Sequence, residues 1–159
     1  MTRCDTGYPP GLISSVIAQI NPYLTLTELS HFTNSISVIT QMLRTSPPEV
    51  YGLVEKDILP LIYPSVVSTT VTATLLDALL DFFTALVQAD SQIASRLVAG
   101  FTVSLDQISV SAGSTPAINT SKCIAVAIRS EPSLAAGTIL DFARSLKVTI
   151  FTSSPIVCT

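Results

Sequence analysis

Asp77 and Asp81 stand four residues apart, a spacing that puts both carboxylates on one face of a helix. Two carboxylates so placed can in principle divide the acid and base roles of a proton transfer. Such work needs a third group to bind a metal or hold a substrate, and no histidine or metal-ligand motif joins them in the sequence. The pair therefore reads as a solvated or partner-facing strip on an otherwise apolar helix. His31 is the one histidine of the chain. A nucleophilic triad would have to be built on it with a distant serine, yet neither HExxH nor GxSxG occurs. It reads as a helix-surface or half-buried histidine.

Cys123 lies in the apolar run Cys123-Ile124-Ala125-Val126 with only Lys122 basic beside it, so it reads as a buried structural thiol. Cys4, Cys123 and Cys158 are odd in number and widely spaced, without CxxC or a Cys/His cluster. That pattern fits a reducing compartment, with no disulfide framework and no zinc site. Gly113 stands alone in its loop, so no glycine-rich loop cradles a phosphate. The expected catalytic, cofactor-binding and metal-binding residues are thus none, and the chain is expected not to be an enzyme. The sequon Asn119-Thr120-Ser121 reads as a chance match. Glu55, Lys56 and Asp57, like Arg129 and Glu131, read as solvated helix ends. Arg96, Tyr51 and Tyr63 are of the types enriched at binding hot spots.

The balance of residues narrows the partners. Of 159 residues, 48% are apolar and only 12% charged, against about 25% in an ordinary soluble domain. The net charge is −3 and no basic run occurs, which removes the electrostatic footprint of a nucleic-acid binder. Tryptophan is absent and aromatics reach only 6%, leaving few platforms for stacked bases. The N-terminus Met1-Thr2-Arg3-Cys4-Asp5 lacks the basic and apolar regions of a signal peptide. The most apolar stretch, Val66 to Val87, carries Asp77 and Asp81 near its centre, each costing roughly 3 kcal/mol at membrane depth. It reads as a buried helix and not a membrane span. No small-molecule substrate is implied.

Helical spacing of apolar residues runs through nearly the whole chain and predicts seven helices. The first covers about 10–21 and ends at Pro22. The second covers about 26–44, with Leu29, Phe32, Ile36, Ile39 and Leu43 on one stripe. The third starts at Pro47 behind a capping box of Ser46 and Glu49, and runs through Ile62 until Pro60 and Pro64 kink or finish it. The fourth, about 70–88, is apolar on most sides and must be packed by several neighbours. The fifth starts at Asp90 or Ser91 and reaches about 108. A loop over 109–116 follows, then helices over about 117–129 and 132–147.

The same punctuation recurs: an apolar helix end, a short polar turn, a capping residue, a new amphipathic helix. It falls at Ser46, Asp90 and Ser130, 44 and 40 residues apart (46 to 90, then 90 to 130). That lies in the roughly 40–47-residue period of HEAT and armadillo arrays. The expected fold is all-α: a HEAT-repeat superhelix (solenoid) fragment over residues 9–147. Its helix pairs would cover about 26–66, 70–108 and 117–147. Stacked repeats bury their faces on one another, which accounts for the apolar excess. Residues 148–159 break the pattern with Val148-Thr149-Ile150-Phe151-Thr152 and are expected to be a non-repeat tail, not native continuation of the array; an edge strand or disordered tail is the alternative.

The segment Leu75-Leu76-Asp77-Ala78-Leu79-Leu80-Asp81-Phe82-Phe83-Thr84-Ala85-Leu86-Val87 resembles a helix from the second half of the cullin-associated and neddylation-dissociated protein family. Two further stretches are similar in the same order: Glu55 to Val67, and Ser121 to Ala127 with the turn at Ser130 to Pro132. The likeness spans most of Pro9 to Lys147, and the tail departs from it. Family members are far longer HEAT solenoids, so the resemblance implies an internal fragment. It also implies a cytoplasmic and nuclear scaffold that holds unneddylated cullin–RING proteins, promotes exchange of substrate receptors and uses no cofactor. No contact residue is carried over, because the shared motifs are repeat-packing positions. The alternatives are another HEAT or armadillo adaptor, such as a transport receptor or phosphatase scaffold, and a small α-helical bundle of unrelated function.

Overall fold

The computed structural model describes residues 11–45, 47–108, 113–137 and 140. Seven α-helices occur among them: α1 (Leu12–Ile20), α2 (Leu29–Thr45), α3 (Pro47–Leu53), α4 (Leu59–Val66), α5 (Ala73–Ala89), α6 (Ile93–Asp106) and α7 (Thr115–Ser130). Short 3₁₀ turns follow α1 (Asn21–Tyr23) and α7 (Pro132–Leu134), and no strand is present among the described residues. The fold is all-helical. Ser46, on which the expected capping box rests, most of the helix expected to 147 and the tail over 148–159 lie outside the described residues.

Local chemistry sets the helix ends. Thr72 accepts the Leu75 N–H at 3.2 Å and starts α5, three residues after the expected start near 70. Asp90 ends α5, and its carboxylate accepts the Gln92 N–H at 3.0 Å, holding the turn into α6. The Thr25 and Thr27 hydroxyls bond each other at 2.8 Å, so residues 25–28 form a turn and α2 starts at Leu29, not near 26. Pro116, expected in the preceding loop, occupies the first turn of α7, where its missing N–H costs nothing.

The third expected helix is a continuous helical run of three parts. Between α3 and α4 lies a π-turn, Val54–Ile58, in which the Leu59 N–H reaches the Val54 carbonyl five residues back. Val50, Val54, Ile58, Ile62 and Val66 explain it. All five are fully buried, and each is four residues from the next. An ideal α-helix turns about 100° per residue, so five positions at that spacing drift by about 160°. Such a drift carries the last side chain off a stripe about 100° wide. One extra residue in a wide turn takes back about 100°, and all five then face the core. The turn also precedes Pro60, whose ring would press on the carbonyl four residues back in a regular helix. Neither Pro60 nor Pro64 ends the run.

The helices contact each other in alternation. α2 packs on α5 and α5 on α7, while α1 packs on α3 and α4 on α6. α6 also packs on α7, and α3 on α5. Between them lies one core, which includes Phe32, Ile36 and Leu43 of α2, Leu79, Phe82, Phe83 and Leu86 of α5, and Leu97 and Phe101 of α6. Four rings meet edge to face: Phe82 on Phe83 (centroids 5.2 Å), Phe83 on Phe101 (5.0 Å) and Phe101 on Tyr63 (5.2 Å). Thr40, Ser65, Ser104 and Thr120 are buried too, and each hydroxyl donates to the carbonyl four residues back. That bond satisfies a polar group without a partner from another helix. It lets a core hold hydroxyls as well as hydrocarbon.

Candidate functional site

Asp77 and Asp81 are both exposed on α5, as the four-residue spacing requires. They do not act as a pair. Asp81 forms an ion pair with Arg44, from the last turn of α2. Asp77 faces solvent one turn earlier. The exposed face of the α2–α5–α7 layer also carries Val38 and Gln41 of α2, and Ile118, Lys122 and Arg129 of α7. Acid, base and isolated apolar side chains are mixed there. His31 is exposed, its ring edge-on to exposed Tyr23 with centroids 5.7 Å apart.

A second cluster joins the helical run 47–66 to α6. Glu55, in the π-turn, pairs with Arg96 of α6. Tyr51, one turn before Glu55, is half-buried, and its phenol is pushed up to about 12, first by burial and then by the carboxylates of Glu55 and Asp90. Burial also pushes the Tyr63 phenol up to about 12, with Glu55 adding to the effect. Both tyrosines therefore stay neutral and protonated at physiological pH. The sequence marks Tyr51, Tyr63 and Arg96 as hot-spot types. The structure uses both tyrosines to join helices, and only Arg96 reaches out from the surface, with its guanidinium already on Glu55.

Cys123 is completely buried on α7, and burial alone raises its thiol to about 12, the reverse of an activated nucleophile. Asn119 is 6% exposed in the same helix, so the sequon around it offers no acceptor for carbohydrate. Among the described residues, no group of three or more His, Cys, Asp or Glu stands together to hold a metal ion. None of their helices is long and apolar enough to cross a membrane. An open groove of about 490 Å³ runs between the outer side of α6 (Ser95, Val98, Ala99, Thr102) and residues Ser133, Leu134 and Gly137. Its walls carry hydroxyls and hydrocarbon but no charged side chain, so it holds no group suited to acid–base or nucleophilic work.

Sequence reasoning places the carboxylates on one face and the thiol inside. It gives no sign of Arg44 or Glu55 as ion-pair partners, because both contacts join residues 37 or more positions apart. The comparisons with known proteins add nothing to this geometry: no family model, curated protein or solved structure matches the chain.

Proposed function

We propose that the chain is a protein-binding segment of an α-helical repeat scaffold, of the kind that holds unneddylated cullin–RING proteins and promotes exchange of their substrate receptors. One observation carries the scaffold reading. α2 packs on α5 across the helical run 47–66, α5 on α7 across α6, and α4 on α6 across α5, which groups α2, α5 and α7 in one layer and α4 and α6 in the other, with α6 also touching α7. The two ion pairs follow the same rule, Arg44 of α2 with Asp81 of α5, and Glu55 of the α3–α4 run with Arg96 of α6. Stacked helix pairs of a HEAT-type solenoid have this arrangement, and turns 44 and 40 residues apart fit their period. The cullin partner, and with it a cytoplasmic and nuclear place of work, rests on the likeness of Leu75–Val87, Glu55–Val67 and Ser121–Ala127 to the family named above.

In this reading the protein works by surface contact alone, with no cofactor and no covalent step. The face offered to the partner is the outer side of α2, α5 and α7, where Asp77, Lys122 and Ile118 are free of the core. Purified full-length chain, shown to be helical by circular dichroism, is offered a cullin–RING dimer either bare or neddylated. Capture of the bare form, weakened by Asp77→Arg or Lys122→Glu, is the expected result. Failure of a folded chain to capture either form overturns the cullin reading. The same preparation in an ultracentrifuge separates the two architectures. Open-ended repeats self-associate through their apolar ends, whereas a closed helical bundle of unrelated function sediments as a monomer.

A further inference from the structure

We propose that residues 52–60 form a built-in joint, a stretch that opens locally while the helices on either side stay packed. Four independent features meet there. Gly52 lies inside α3 with nothing within 4 Å of where a Cβ would stand, so no close approach of another helix requires a glycine. A glycine in a helix interior weakens it, and here packing gives nothing in return. The π-turn at 54–58 replaces the regular bonds, and π-turns concentrate at sites where helices do more than support. Pro60 then supplies no N–H, so the run loses a bond that would bind the start of α4 back to the turn.

The fourth feature is where the weak stretch sits. On its N-terminal side, α3 packs on α1, α2 and α5. On its C-terminal side, α4 packs on α6 and α7. The run thus passes from one set of neighbours to another at the π-turn, and α5, which also packs on α6 and α7, ties the two sets together. Outside the core, the described clamp on the turn is the Glu55–Arg96 ion pair, which is exposed on the arginine side and open to screening by salt. Val54 and Ile58 anchor the turn from inside. A segment with few regular backbone bonds, a solvent-exposed clamp and well-packed flanks opens before the whole molecule does.

Amide hydrogen exchange on the full chain tests this, comparing residues 54–59 with residues 79–87 of α5. Three preparations are needed: the native chain, Gly52→Ala and Glu55→Gln. The native joint should exchange at least tenfold faster than α5. Gly52→Ala should slow the joint roughly fivefold, the factor a glycine-to-alanine change in a helix interior produces, and leave α5 unchanged. Glu55→Gln should speed the joint about two- to fivefold, again without effect on α5, as loss of an exposed ion pair would. Equal protection of joint and α5 in the native chain overturns the proposal. So does a response in which either substitution shifts joint and α5 by the same factor, because the stretch would then open only with the whole fold.

Discussion

The ring of Tyr63 in α4 lies against Gly100 in α6. A Cβ added at Gly100 would stand 2.7 Å from the ring's Cε1 and 2.8 Å from its hydroxyl oxygen. The missing side chain is what lets the two helices come together and lets Tyr63 meet Phe101 edge to face.

Gly100→Ala therefore sets two effects against each other. Alanine favours the helix by up to about 1 kcal/mol, whereas overpacking costs about 1–3 kcal/mol. The ring must swing out of its place on Phe101, so the clash wins, and a net loss of about 1 kcal/mol is expected in denaturant unfolding. In a Tyr63→Ala background the obstacle is gone and the sign reverses: Gly100→Ala then stabilises. A destabilising Gly100→Ala in both backgrounds would mean that Tyr63 is not what the glycine accommodates.

The π-turn makes a sharper prediction. Deleting exposed Lys56 removes the extra residue and restores a regular α-helical register. Val50 and Val54 then turn by about 100° relative to Ile58, Ile62 and Val66, and one group must leave the core. Exposing two such side chains costs about 3 kcal/mol or more. The change Lys56→Ala keeps the register and should stay within about 0.5 kcal/mol of the native chain. Urea unfolding of the two variants gives the comparison. A deletion as mild as the substitution would show that the turn is not fixed by the buried row.

That row bears on what the sequence could tell. The even four-residue spacing of Val50, Val54, Ile58, Ile62 and Val66 is plain in the order of residues, and no regular α-helix keeps such a row on one face. Reading the stretch as one helix that Pro60 and Pro64 must break misses it, because proline rules look at single residues and not at the phase of the stripe. The remaining helices were legible from their 3.6-residue periodicity, and their ends moved where Thr25 with Thr27, Thr72 or Asp90 turned side chains onto the backbone or each other. Asp77 and Asp81 show the limit. Their shared face follows from spacing, but that Arg44 takes one and leaves the other depends on how α2 lies across α5, and pairwise helix packing leaves no local mark.

Alkaline pH should unfold the protein by a route open to measurement. Tyr51 and Tyr63 are held near 12 in the fold against an ordinary 10.0, and Cys123 near 12 against 9.0. Below about pH 8 all three are neutral folded or unfolded, so their contribution is fully present. As pH rises from about 8 towards 12 the unfolded chain loses these protons first, the Cys123 thiol before the two phenols, and stability falls. The melting temperature should be level from about pH 7 to 8, begin to fall as the thiol titrates and drop more steeply above about pH 9. Tyr63→Phe removes one of the three groups and should flatten the drop, a comparison in which the slope above pH 9 counts and not the value at neutral pH. An unchanged slope would mean that Tyr63 ionises as easily folded as unfolded.

The two ion pairs should matter little to stability, although each joins helices far apart in sequence. Arg44 and Asp81 are both about half exposed, and Arg96 more so, which leaves water to compete for every charge. Exposed pairs of this kind are worth about 0.2–1 kcal/mol in double-mutant cycles. Cycles through Arg44→Met with Asp81→Asn, and through Arg96→Met with Glu55→Gln, should give coupling in that range, fading towards zero in about 1 M salt as the screening length shrinks to about 3 Å. Asp77→Asn should show no coupling to Arg44. Of the two carboxylates that the sequence presents as equals, only Asp81 then answers to the fold, and Asp77 stays in solvent. Coupling above about 2 kcal/mol in either cycle, or coupling of Asp77 with Arg44, would place these charges in a drier setting than the structure gives them.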